Sequence, residues 1–249
     1  MIRVAALGDP HAGRDTAGQL RPLLADLGER ADLLLVAGDL TRHGDPEEAA
    51  VFGEEVRDLG VPVIAVLGNH DYHGDQEDLV RKVVEEAGVI VLEGESTVVE
   101  VGGERVGVAG AKGFGVGFPG ACATEFGEPE VKAFVRHSRE TAARLGEALA
   151  ELDTDRRLVV LHFSPVAETL VGERLEIYPF LGSYFLADAV DRTGADLVVH
   201  GHAHAGSEKG TTPAGVPVRN VSQPVIGAPY RLYSVGGFDP HADEALTAR

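Results

Sequence analysis

The feature that most constrains this chain is a recurrent one: short apolar runs that each stop at a cluster of polar residues able to act as ligands. The run Val61–Leu67 stops at Gly68, Asn69, His70 and Asp71, where a neutral oxygen, an imidazole and a carboxylate stand side by side. Crowding such groups beside a buried strand costs folding energy unless they find partners. Gly and Asn also make turns, so this stretch alone could be one. Four further runs end alike. Ile2–Leu7 stops at Gly8-Asp9-Pro10-His11, Leu33–Ala37 at Gly38-Asp39, Leu158–Leu161 at His162, and Leu197–Val199 at His200-Gly201-His202-Ala203-His204.

Helical patterns separate the first three runs. From Asp15 to Gly28, Leu20, Leu23, Leu24 and Leu27 share one helical face closed by Gly28. A second helix is signalled by Asp45 as N-cap, Pro46 at its first position and Glu48 completing a capping box. Its buried face would be Ala49, Phe52, Val56 and Leu59. A third, Glu77 to Ala87, carries Leu79, Val80, Val83 and Val84 before Gly88. This alternation predicts parallel strands with helical crossovers, in which loops beyond the carboxyl ends of the strands carry the site.

The pattern then changes. Val89 to Ala109 reads as antiparallel hairpins around Gly94 and Gly102-Gly103. Gly110 to Gly127 is rich in Gly and Phe; it is either a loop whose backbone approaches a ligand or a flexible surface loop. Pro129 to Leu152 reads as a long helix with Val131, Phe134, Val135, Leu145 and Leu149 buried and His137 partly exposed. Val166 to Phe185 has no clear periodicity and either covers the site as a specificity lid or packs over the core. The remainder to Phe238 reads as short strands, and His241 in the polar tail as solvent-exposed. With no internal repeat and no low-complexity linker, a single domain over 1–249 is expected.

Composition narrows the partners. A net charge of −18 on 249 residues disfavours non-specific binding to nucleic acid or anionic lipid, although bound cations reverse the sign locally. The single Cys122 excludes an internal disulfide framework and reads as an inert thiol. No run is long enough to span a membrane. The N-terminus MIRVAALGDPH enters a strand directly, without signal-peptide layout, so a cytoplasmic location is expected.

The strand ends offer Asp9 with His11, Asp39, Asn69 with His70, His162, and His202 with His204. In a strand-then-loop setting, residues two apart can face one side, which would align Asp9 with His11 and His202 with His204. Mixed carboxylate and imidazole ligands suit Mn, Fe or Zn. A single zinc takes three or four protein ligands; this set exceeds that, which suggests two ions with one carboxylate between them. Two such cations activate a shared water and neutralise phosphate oxygens during in-line displacement, while a nearby imidazolium can protonate or stabilise the departing oxygen.

The ordered set GDPH, GDL, GNHD, a lone His after a strand, and GHAH, spanning residues 9 to 204, resembles the calcineurin-like metallophosphoesterase family. The resemblance implies an α/β (α+β) fold: a four-layer β-sandwich of two mixed sheets flanked by helices, with two metal ions (Mn, Fe or Zn) at one edge. It assigns Asp9, His11 and His204 to one ion and Asn69, His162 and His202 to the other, with Asp39 bridging. His70 would be the proton donor or transition-state contact and Asp71 its orienting partner. The activity implied is phosphoester hydrolysis, as phosphatase or phosphodiesterase, on a small phosphoester. GDLTRHGDPEE is similar to the branch that includes cyclic-nucleotide phosphodiesterases and others of unknown substrate. A non-catalytic metal-binding interaction module, a nuclease and a protein phosphatase are the alternatives; no ligand position is lost, and no basic stripe favours a nuclease. His43 and His73 read as solvated loop histidines, with substrate contact the alternative. His200 reads as a hydrogen-bonded core or supporting histidine. Gly110–Gly127 and Val166–Phe185 are expected to shape the pocket.

Overall fold

The structure is a computed structural model that describes residues 1–236; His241 and residues 237–238 lie outside the described residues. In chain order, β1 (Ile2–Leu7) leads through 3-10 turns and the one-turn helix α1 (Leu27–Arg30) to β2 (Leu33–Ala37), α2 (Pro46–Val56), β3 (Val63–Val66), α3 (Glu77–Glu86) and β4 (Ile90–Val91). The hairpin β5 (Glu95–Val101) and β6 (Glu104–Ala111) follows, then a small hairpin of β7 (Gly117–Phe118) and β8 (Ala121–Cys122), helix α4 (Pro129–Ala150) and β9 (Arg156–Leu161). The remainder supplies α5 (Tyr178–Leu181), α6 (Tyr184–Thr193), β10 (Leu197–His200), β11 (Lys209–Thr211), β12 (Pro217–Asn220), α7 (Gln223–Ile226) and β13 (Arg231–Val235).

Two mixed sheets result, ordered β13-β1-β2-β3-β4 and β11-β12-β10-β9-β6-β5. In the first, only β13 runs antiparallel; in the second, β11 and β5 do. Strand alternation sorts the apolar runs onto two faces. Val4, Leu35 and Ile64 meet Val108, Leu158 and Val199 between the sheets. Leu7, Leu34 and Val36 face outward onto Leu27, Phe52, Val80 and Val84, while Val159, Leu161 and Val198 face Leu145, Leu149, Leu186 and Val190 of α4 and α6. This is the helix–sheet–sheet–helix layering that the family resemblance implies. Fully burying each such Leu, Ile or Val contributes roughly 1.5–3 kcal/mol, so strand register is strongly specified. No helix among the described residues is long and apolar enough to cross a membrane.

Several local expectations change. Asp15–Gly28 is not one helix but 3-10 turns at Arg14–Thr16 and Arg21–Leu24 followed by α1, with Gly28 inside the latter. Pro22 cannot donate a helical hydrogen bond, and the amides of Gly18 and Arg21 donate instead to the Glu55 carboxylate of α2. Asp45 does cap α2, accepting from the Glu47 amide at 2.8 Å. Glu48 does not close a capping box; its carboxylate accepts from the amides of Arg42 and His43. The hairpin around Gly102-Gly103 is as read, whereas β4 pairs parallel to β3. On α4, Val135, Leu145 and Leu149 are buried, but Val131 is exposed. Gly110–Gly127 is anchored in its first part, where the amides of Val116 and Gly117 donate to the Gly182 carbonyl, while residues 119–121 and 124–127 are exposed.

Candidate metal centre

Because β1, β2 and β3 run parallel in one sheet and β6, β9 and β10 in the other, their carboxyl ends bring Asp9, Asp39, Asn69, His162, His202 and His204 to one rim. His162 Nδ1 crosses between the sheets to donate to the Ala37 carbonyl at 2.8 Å. The convergence does not come from strand alternation. Asp9, His11, Asp39 and His202 have φ of 60°, 43°, 52° and 70°, so left-handed backbone turns these side chains inward after the strands have ended. Such conformations cost roughly 1–3 kcal/mol each for non-glycine residues and persist where the surroundings impose them. The glycines of the motifs have a steric reason. A Cβ on Gly68 would lie 2.1 Å from Asp39 Oδ1, and one on Gly201 would lie 2.6 Å from Asp9 Oδ2.

Three overlapping groups can each hold a metal ion: Asp9, His11 and His204; His11, Asp39 and His70; and Asp39, His162 and His202, with ligand atoms inside each group within 4.8 Å of one another. Asp39 Oδ1 lies 3.3 Å from His162 Nε2, whereas its Oδ2 lies 3.8 Å from His11 Nε2 and 4.0 Å from His70 Nε2. The His70 amide donates to Asp39 Oδ1 at 2.8 Å, fixing the carboxylate. Asp9 accepts from the His202 amide and from Ser222 Oγ at 2.9 Å, and Asp9 Oδ1 is 3.2 Å from His204 Nε2.

Electrostatics suit a cation. Burial would raise the Asp9 carboxyl, but His204, His162 and the His202 amide together hold it down at about 2. Burial, reinforced by the charge of Asp9, pushes Asp39 up to about 6. Burial lowers His162 to about 4 and His202 to about 3, so both imidazoles are neutral at pH 7. With its Nδ1 proton committed to Ala37, neutral His162 turns the Nε2 lone pair toward Asn69 Oδ1 at 2.8 Å and Asp39 Oδ1 at 3.3 Å. Electron pairs facing one another in this way are relieved by a cation between them. His11 Nδ1, buried and without a hydrogen-bond partner among the described residues, adds an orphan donor atom to the same rim. The donor set fits metal ions.

The comparisons with known proteins agree with this geometry. The family model described as calcineurin-like phosphoesterase matches residues 2–206. The chain belongs to the calcineurin-like phosphoesterase family. A probable cyclic nucleotide phosphodiesterase of Synechococcus is 39% identical over 69 residues, a match that covers 26% of this chain and 27% of that relative. The phosphopantetheinyl hydrolase PptH of Mycobacterium tuberculosis superposes with a TM-score of 0.69 at 19% identity, covering 96% of both chains. A phosphatase from Mycoplasma pneumoniae superposes with a TM-score of 0.52 at 18% identity, covering 89% of this chain and 71% of that one. At these identities the superpositions show a shared calcineurin-like fold. Family membership implies divalent metal ions, and the His/Asp groups able to hold them lie on the rim.

Within this family member, one residue behaves differently from the sequence expectation. Asp71 does not touch the His70 ring. Its carboxylate accepts from the Leu40 amide (3.1 Å), the Thr41 amide (2.8 Å), Thr41 Oγ1 (2.6 Å) and the Gly68 amide (2.7 Å), tying the loop after β2 to the loop after β3. His70 is oriented instead by its own Nδ1–H, which donates to the Arg42 carbonyl at 2.8 Å. Asp71 therefore fixes these two loops to each other. His200 is buried and bonded to Gly201 O and Thr169 Oγ1, each at 2.8 Å, as a supporting histidine. His43 binds Glu48, while exposed His73 lines a recess of about 100 Å³ with Arg42, Asn69 and His70. The 166–185 segment packs through buried Leu170 and Leu181 and also reaches the site, where the Phe180 carbonyl accepts from His202 Nε2 at 3.1 Å. Ser222 and Thr41 escaped the sequence reading, because neither is marked by its residue type and each acts through the tertiary contact it makes.

Proposed function

We propose that this protein hydrolyses small phosphate esters with two bound metal ions, one held by Asp9, His11 and His204 and the other by Asn69, His162 and His202, with Asp39 shared. One observation carries this reading: the two Asp39 oxygens address different ligand groups, Oδ1 facing His162 and Oδ2 facing His11 and His70. When bound, the ions supply a water nucleophile at neutral pH and neutralise the phosphoryl oxygens. Carboxylate, amide and imidazole donors without a thiolate suit Mn, Fe or Zn.

The chain's own residues do the rest. His70 is held by Arg42 O with Nε2 turned toward Asp39, where its protonated form stabilises or protonates the departing oxygen. Asp71 keeps the two loops that carry Asp39 and Asn69 in register. The net charge of −18 favours small substrates over nucleic acid. The Synechococcus relative's name makes phosphodiesters, cyclic nucleotides included, one class to test.

The test is metal content and hydrolysis of aryl monoesters, linear diesters and cyclic nucleotides after metal reconstitution, in wild type and Asp39→Asn. The substitution, which removes the charge of the shared ligand, is expected to weaken retention of both ions and abolish turnover; full activity in that variant removes the assignment. Retention of both ions with no turnover on any ester would instead make the protein a non-catalytic binding module.

A further inference from the structure

The family match ends at residue 206, yet the stretch that closes the base of the rim comes after it. Asn220, Val221 and Ser222, all fully buried, leave the end of β12 and pass from one sheet to the other. Up to Asn220 the chain pairs with β10, and the Val221 amide still donates to the His200 carbonyl at 2.7 Å. The Val221 carbonyl then accepts from the amide of Gly8, just after β1, at 2.7 Å, and the Gln223 amide donates to the Gly8 carbonyl at 3.1 Å. Gly8 precedes Asp9 and His200 precedes the His202/His204 pair, so this crossing ties together two of the strand ends that carry the candidate ligands. Asn220 braces it: its Oδ1 accepts from the Ser222 amide at 3.1 Å and its Nδ2 donates to the Ala203 carbonyl at 2.8 Å. The Ser222 hydroxyl is left donating to one oxygen, Asp9 Oδ2, at 2.9 Å. Asp9 Oδ1 is the oxygen that faces the ligand group, 3.2 Å from His204 Nε2. The His202 amide lies 3.0 Å and 3.1 Å from the two oxygens and does not discriminate between them. The hydroxyl does.

We propose that Ser222 is a positioning residue that engages Asp9 Oδ2, leaves Oδ1 alone for the ion held with His11 and His204, and thereby sets the affinity of that ion. The inference rests on the two-ion reading above and deepens it by giving one half of the centre its own control. A carboxylate held through one oxygen cannot swing to take an ion through both, so its other oxygen is fixed for a single geometry. Without the hydroxyl, Asp9 loses a donor and a restraint on its side-chain torsions, and the cost of ordering it falls on binding the ion. Among the described residues, the Ser222 hydroxyl hydrogen-bonds to Asp9 and to no other candidate ligand. The ion held by Asn69, His162 and His202 therefore keeps its surroundings when the hydroxyl is removed.

The experiment titrates the metal-stripped full chain with Mn²⁺, in wild type and Ser222→Ala. It reads the ions retained per chain, the electron paramagnetic resonance signal that separates a single Mn²⁺ from an interacting pair, and the thermal melt of the metal-free protein. Wild type should take up both ions and give the pair signal. In Ser222→Ala one ion should bind about 10- to 100-fold more weakly, the scale of losing a ligand's supporting partner, and the other with native affinity. At limiting Mn²⁺ the single-ion signal should then dominate. Raising Mn²⁺ should restore the pair signal and, on an aryl phosphoester, kcat, because Asp9 itself is intact. In a His204→Ala background, where that ion has already lost a ligand, adding Ser222→Ala should leave the remaining tight ion untouched; a weakening of that ion places Ser222 with the wrong half and overturns the assignment. Native affinity for both ions, equal weakening of both, or a variant that no longer folds without metal overturns it as well. A wild type that retains no ions overturns the two-ion reading itself, and this one with it. A wild type that retains both and hydrolyses no ester overturns the hydrolase reading alone, and the Mn²⁺ curves still decide the role of Ser222.

Discussion

Asp71→Ala separates a positioning role from a catalytic one. The substitution removes the acceptor for three backbone amides, those of Leu40, Thr41 and Gly68, and for the Thr41 hydroxyl. Each buried amide left without a partner costs ~1–3 kcal/mol, a gross loss of about 3–9 kcal/mol. Against this, burial pushes the Asp71 carboxyl from 3.8 up to about 6, so its charge weighs against folding at neutral pH by roughly 3 kcal/mol, which alanine recovers. The amides outweigh the charge over nearly all of that range, and a net destabilisation of up to about 6 kcal/mol is expected at pH 7.5, against a typical total of ~5–15 kcal/mol. Because the folded-state value is raised, the penalty of the charge is absent below the unfolded value and grows as pH rises through the folded one. The cost of Asp71→Ala should therefore be larger near pH 4.5 than at pH 7.5. Urea unfolding of chelator-treated wild type and variant at both pH values checks this. A cost under ~0.5 kcal/mol, or one that shrinks on acidification, refutes the clamp.

Gly68→Ala should cut metal affinity at least ~10-fold, the scale of losing a ligand's supporting partner, because its Cβ would lie 2.1 Å from Asp39 Oδ1; titration with Mn or Zn measures it, and native affinity would refute the close-approach argument. Glu93 is raised from 4.5 to about 7 by burial, while its bond from the Leu67 amide at 3.0 Å is one that glutamine keeps. Glu93→Gln should accordingly gain about 1–3 kcal/mol at pH 8, with the gain fading toward pH 4.5; denaturant midpoints across that range decide, and a gain that grows on acidification has the wrong sign. Stripping the metals should lower the melting temperature by ~5–10 °C, on the scale of ligand linkage at about 100 times Kd. In Asp39→Asn the same treatment should change it far less, and equal shifts in both proteins would place the ions elsewhere.

What could be read from residues alone was local and periodic. Alternating apolar runs and capped helices identified β1, β2 and β3 with α2 and α3, because burial on both faces of a strand leaves a continuous Val, Leu and Ile signature. The order of the GD, GNHD and GHAH clusters after those runs indicated that the strand ends converge, since parallel strands share one carboxyl rim. The same local signals misread Asp15–Gly28, where leucine spacing suited a helix but Pro22 and the distant Glu55 carboxylate imposed turns. They also misplaced Asp71, whose neighbour in sequence is His70 but whose partners in space are Leu40, Thr41 and Gly68. Only the tertiary structure decided how Asp39 divides its oxygens, which nitrogen of His162 is free, and that Lys112 lies between Tyr72 and Phe163. Each depends on segments tens to more than a hundred residues apart being held within a few ångströms. Sequence periodicity carries the burial of a side chain; it holds no record of which distant atom that side chain will meet.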